Sequence, residues 1–101
     1  MPPFQFKPHT WYRGKAKKQF AWMSRPGVPP LQIGTDIYFR VHGAMIEHWT
    51  VFDGSSRVVV MNLERMKEYI ESVKNDHGFP AEVDAKKNSE LNARFEMWVK
   101  G

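Results

Sequence analysis

The sequence contains no cysteine, which excludes a disulfide framework, a thiolate metal cluster and a cysteine nucleophile. It lacks any apolar run near the roughly 20 residues that a membrane-crossing helix needs. The opening MPPFQFKPHTWYRGKAKK has no apolar stretch of the kind a signal peptide carries. A cytoplasmic protein without a membrane partner is expected. Catalytic templates are missing too: no Gly-x-Ser-x-Gly elbow, no Walker loop and no Gly-x-Gly-x-x-Gly turn after a strand. Arg13-Gly14-Lys15-Ala16-Lys17-Lys18 has one glycine, too few to cradle phosphate in those ways. Glu64, Glu68 and Glu71 fall where a solvated helix face would put them. No catalytic residue and no cofactor is therefore assigned, and nothing points to an enzyme. His9, His42, His48 and His77 show no metal-ligand spacing, and Glu47 and His48 would face opposite sides of a strand. No metal is expected.

Negative charge is also scarce where it is most informative, since no acidic residue precedes Asp36. Residues 1–44 carry Lys7, Arg13, Lys15, Lys17, Lys18, Arg25 and Arg40 against that one aspartate, a net of +6. Residues 45–101 carry eight basic and ten acidic groups, a net of −2, so the overall +4 understates a polarised molecule. Phe4, Phe6, Trp11, Tyr12, Phe20 and Trp22 are interleaved with the basic run. Cations that follow phosphates and rings that stack on bases are what single-strand recognition needs.

At 101 residues, with 42% hydrophobic and 26% charged side chains, the chain reads as one globular domain over 1–101. Within it, 1–30 is the basic aromatic segment, 31–61 a β-meander and 62–101 helical. Phe4 to Lys7 alternates like an edge strand, and Lys15 to Met23 fits a helix or a strand equally. Ser24-Arg25-Pro26-Gly27-Val28-Pro29-Pro30 breaks both. Asp36 to His42 alternates, with Ile37, Phe39 and Val41 on one face and Tyr38, Arg40 and His42 on the other. Gly43-Ala44 suits a turn, Met45 to Phe52 a second strand, and Asp53-Gly54-Ser55-Ser56 a hairpin before Arg57 to Met61. Asn62 caps a predicted helix with Leu63, Met66, Ile70 and Val73 on one stripe and Gly78 at its C′ position. A second helix starts near Asn88 or Ser89, carrying Leu91, Phe95 and Trp98 at i, i+4, i+7 and a Glu90–Arg94 pair. The expected fold class is α+β: a small antiparallel sheet or partial barrel packed by C-terminal helices.

The run Leu31-Gln32-Ile33-Gly34-Thr35-Asp36-Ile37-Tyr38-Phe39-Arg40-Val41-His42-Gly43 resembles the glycine-acid-hydrophobic strand signature of PUA-like domains, especially the EVE and ASCH groups. Trp11 ahead of the basic stretch Arg13 to Lys18 is similar to the EVE arrangement, so the resemblance covers about residues 11–52. It implies a barrel-like fold that binds RNA or modified bases in a cleft. The ASCH Gly-x-Lys-x-x-Glu-x-Arg signature is missing, and no catalytic residue is carried over.

The resulting expectation is a small module that binds RNA or DNA, single-stranded or containing modified bases. Arg13, Lys15, Lys17, Lys18 and Arg25 would neutralise phosphates, with Arg40 extending the patch. Trp11, Tyr12 and Trp22 would stack on bases, although Trp11 and Trp22 fit a core equally well. Trp98 reads as core, and Trp49 as either core or ligand-facing. The alternative is an accessory or inhibitory protein that docks on an acidic protein partner, since six methionines and fourteen aromatics offer adaptable contact surface.

Overall fold

The computed structural model describes residues 6–19, 32–42, 45–54 and 57–100. The expected features at Phe4-Gln5, Phe20 to Met23, Ser24 to Pro30, Gly43-Ala44 and Ser55-Ser56 lie outside the described residues. So do Trp22, Arg25 and the side chain of Trp98.

Among the described residues, five strands and two helices follow in the order β1 Tyr12–Ala16, β2 Asp36–His42, β3 Met45–Phe52, β4 Val58–Asn62, α1 Leu63–Tyr69, β5 Ile70–Ser72 and α2 Ala85–Lys100. The strands form one open antiparallel sheet in the order β4-β3-β2-β1-β5. This is the expected α+β class, and the expected meander is β2, β3 and β4. Its hairpin closes where Asp53 N–H donates to the Arg57 carbonyl at 3.1 Å, with Gly54 at φ +93° in the turn.

The basic segment contributes a strand rather than a tail. Tyr12, Gly14 and Ala16 turn inward while Arg13 and Lys15 turn out, the period-two pattern of a strand with one buried face. Gly14 is needed for close approach. A Cβ there would lie 3.0 Å from Ile70 Cγ2, 3.1 Å from Phe39 Cε1 and 3.2 Å from the Glu71 carbonyl.

The predicted first helix is corrected. It starts at Asn62, whose Oδ1 accepts from Arg65 N–H at 2.9 Å, but it ends at Tyr69, and Ile70 is extended at φ −123°, ψ 131°. The unpaired edge of β1 captures the chain beyond: Lys17 N–H donates to the Tyr69 carbonyl at 2.7 Å and Val73 N–H to the Arg13 carbonyl at 2.9 Å. Met66 and Ile70 are buried as the stripe requires, whereas Leu63 is 41% exposed and Val73 half-buried. Gly78 (φ +80°) serves a turn closed by Gly78 N–H to the Asn75 carbonyl, not a helix end. The second helix starts earlier than expected, because Asp84 Oδ1 accepts from Lys87 N–H at 2.7 Å and caps it.

Only the seven residues of α1 separate β4 from β5, a span of roughly 11 Å at about 1.5 Å per residue. In a flat five-stranded sheet those edges would stand roughly 19 Å apart. The sheet therefore curls, and α1 closes its concave side against β3, β4 and β5. Tyr12, Ile37, Phe39, Trp49, Val51, Met61, Met66 and Ile70 pack there. On the convex side Trp11, Phe52, Val58, Leu91 and Phe95 make a second cluster beneath α2. Alternation along each strand sorts its residues between the two.

Candidate nucleic-acid interface

Of the rings assigned to base stacking, the two described ones, Trp11 and Tyr12, are inside. Trp11 is 0% exposed and Tyr12 1%. Trp11 packs against Phe52 and Phe95 at centroid distances of 5.5 and 5.7 Å. Its backbone N–H donates to Asn88 Oδ1 at 2.7 Å and its Nε1–H to Asn92 Oδ1 at 2.9 Å. Tyr12 stacks on Phe39, its hydroxyl accepts from Lys7 N–H at 2.9 Å, and burial raises its pKa. A base has no face to meet at either residue. The stacking role is corrected to core packing, because two large aromatics beside a strand edge bury far more apolar surface inside than a surface platform would retain.

Arg40 is corrected in part. Its guanidinium lies 5.1 Å from the Trp11 ring centroid and 4.7 Å from that of Phe95, and its Nη1 donates to Asn92 Oδ1. Burial lowers its pKa, opposed by the charge of Glu96. It lines a cleft of about 500 Å³ with His9, Phe95, Glu96 and Val99. There it ties α2 to the sheet, on the same face as Arg13, which pairs with Tyr38 two residues before it. His9, with φ 55°, holds that strained geometry because its carbonyl accepts from both Asn88 Nδ2 and Asn92 Nδ2.

Of the cations assigned to phosphates, Arg13, Lys15, Lys17 and Lys18 are exposed. The first three occupy every second position, so β1 presents Arg13 and Lys15 outward and the chain continues to Lys17 at steps of roughly 7 Å. Lys15 faces Asp36 at 3.9 Å, and Lys18 pairs with Glu68 at 2.9 Å. That hydrogen bond raises the pKa of Lys18 and lowers that of Glu68. Lys17 Nζ donates to the Lys67 carbonyl at 3.0 Å, which brings β1 onto α1.

A cation-flanked ring is present after all, at a residue the sequence reading passed over. Tyr69 is half-buried, with Lys18 Nζ 5.8 Å and the Arg65 guanidinium 5.4 Å from its ring centroid. The i,i+4 spacing of Arg65 and Tyr69 carried the local half of that signal. Lys18 arrives only through the pairing of β1 with β5. Asn88 and Asn92 were missed likewise, although their spacing puts them on one helix face beside Leu91 and Phe95.

Among the described residues no group of three or more His, Asp or Glu side chains converges as a metal site, and no helix is long and apolar enough to cross a membrane. No family model, curated protein or solved structure matches this chain. The PUA-like resemblance rests on its motif residues alone.

Proposed function

We propose that this chain is a small nucleic-acid-binding module that follows the phosphates of a single strand along β1. The observation that carries the reading is the row Arg13, Lys15, Lys17, exposed at alternate positions while Tyr12, Gly14 and Ala16 are buried. Lys18, Arg65 and the Tyr69 ring continue it, and a ring between two cations suits a base beside its phosphate. The carboxylates at Asp36 and Glu68 are weak competitors. Exposed ion pairs contribute about 0–1 kcal/mol, whereas each phosphate contact releases a condensed counterion. A cytoplasmic location is part of the same proposal.

The test is salt titration of fluorescence anisotropy with labelled single-stranded DNA and RNA. Arg13→Ala, Lys15→Ala and Lys17→Ala should each flatten the log–log slope by about 0.7 and weaken all sequences alike. Absence of binding to either strand at low salt would overturn the reading. One observation favours the protein-partner alternative: Met97 and Val99 leave α2 73% and 60% exposed, side chains of the kind found at adaptable interfaces. A nuclease-resistant complex lost on Met97→Asp would support it.

A further inference from the structure

A second cavity, of about 230 Å³, lies between α1 and the concave face of the sheet. Phe6, Phe39 and Trp49 wall it with rings set at steep angles, 79° between Phe6 and Trp49 and 66° between Phe39 and Trp49. Trp49 is 4% exposed, yet its Nε1–H has no hydrogen-bond partner among the described residues. Buried indole N–H groups normally find an acceptor. The remaining walls include Lys67 and Lys74, and among the described residues no carboxylate lines the cavity. Lys74 Nζ is held at 2.7 Å from Ser72 Oγ, another lining residue.

These features select a ligand by chemistry. Apolar ring walls favour a planar ring, the idle indole N–H favours an acceptor on that ring, and two lysines favour an anionic arm. The same lysines disfavour a cation, although aromatic walls alone would suit one. The volume falls below the about 300–1,000 Å³ of sites for drug-sized ligands, so it admits one small ring system. We infer that this cavity binds a free, small aromatic or heteroaromatic anion, with its ring acceptor on Trp49 Nε1–H and its carboxylate or phosphate on Lys67 and Lys74. The indole nitrogen is closed to water as the rings stand, so its engagement requires a wall side chain to move. The inference goes beyond the nucleic-acid reading and stands independently of it.

The indole N–H of Trp49 reports directly on occupancy. In ¹⁵N-labelled protein its resonance is assigned by its loss in Trp49→Phe, and two free single-ring probes are titrated, 4-hydroxybenzoate and orotate. At least one should move that signal saturably downfield. The neutral analogue 4-hydroxybenzyl alcohol should bind about tenfold more weakly than the benzoate. Lys67→Ala combined with Lys74→Ala, at two exposed positions, should remove that tenfold preference. Leu63→Phe, at an exposed wall, should narrow the cavity and weaken both probes. The inference is overturned if neither anion moves the signal at millimolar concentration, or if neutral and anionic probes bind alike. It is equally overturned if an oligouridylate strand moves the signal while the free anions do not, which would make the occupant a base of a bound strand.

Discussion

Asn92 joins three parts of the chain with one amide. Its Oδ1 accepts from Trp11 Nε1 and Arg40 Nη1, and its Nδ2 donates to the His9 carbonyl. Leucine at this position would fill similar space and remove the acceptor of Trp11 Nε1 and Arg40 Nη1, each at a cost of about 1–3 kcal/mol if it stays dry, while the His9 carbonyl would keep its bond from Asn88 Nδ2. Asn92→Leu should therefore lower the urea midpoint clearly, and a cycle with Trp11→Phe should be non-additive because the two share a bond. Trp11→Ala should destabilise by about 3–5 kcal/mol, so weakened binding in that variant would report lost fold, to be separated by circular dichroism. Gly14→Ala should destabilise as well, since all three neighbours must give way and the Glu71 carbonyl, being backbone, cannot do so alone. At Glu68 the expected sign is reversed. Its lowered pKa means the pair with Lys18 contributes above the ordinary glutamate value and is lost as pH falls through the folded pKa. Glu68→Gln should free Lys18, tighten single-strand binding and steepen its salt slope, and wild type should move the same way on acidification through that range.

At the scale of elements, α1 and β5 separate what local pattern specifies from what pairing decides. Leu63, Met66, Ile70 and Val73 satisfy a continuous helix stripe, and the same residues satisfy a two-turn helix followed by a strand. Local spacing cannot choose between these; the open edge of β1 can. Alanine substitution distinguishes them, with Met66→Ala and Ile70→Ala each costing about 2–5 kcal/mol by chemical denaturation and Leu63→Ala little. The meander was legible because alternation in Asp36 to His42 and the Asp53-Gly54 turn are local signals. Gly54→Val should accordingly disturb the hairpin, since Gly54 combines φ +93° with a Cβ position 3.1 Å from Tyr38 Cε2. β1 was illegible for the opposite reason. Its central glycine and two cations argue against a strand until partners on both sides are known. Of the site, the cations were readable from charge alone. The choice of ring was not, because the burial of Trp11 depends on α2 and the arrival of Lys18 beside half-buried Tyr69 depends on β5.

Across the whole molecule, the charge imbalance of the sequence is reduced by folding but not removed. Basic groups from the first half meet carboxylates from the second at Lys7–Glu82, 3.3 Å, and at Lys18–Glu68, 2.9 Å. Both pairs are exposed and so are screened by salt. What remains is a surface whose field, not its shape, should govern encounter, and the association rate should fall more steeply with ionic strength than the dissociation rate rises. The position of β1 also bears on how the chain comes off the ribosome. Its pairing with β2 can form early, but its other edge waits for Ile70–Ser72 and for Val83, whose N–H donates to the Trp11 carbonyl. At about 5–20 residues per second, the strand spends several seconds of translation as an open template. Arg13, Lys15 and Lys17 give that template a strong like charge, which opposes its pairing with the same strand of a neighbouring nascent chain.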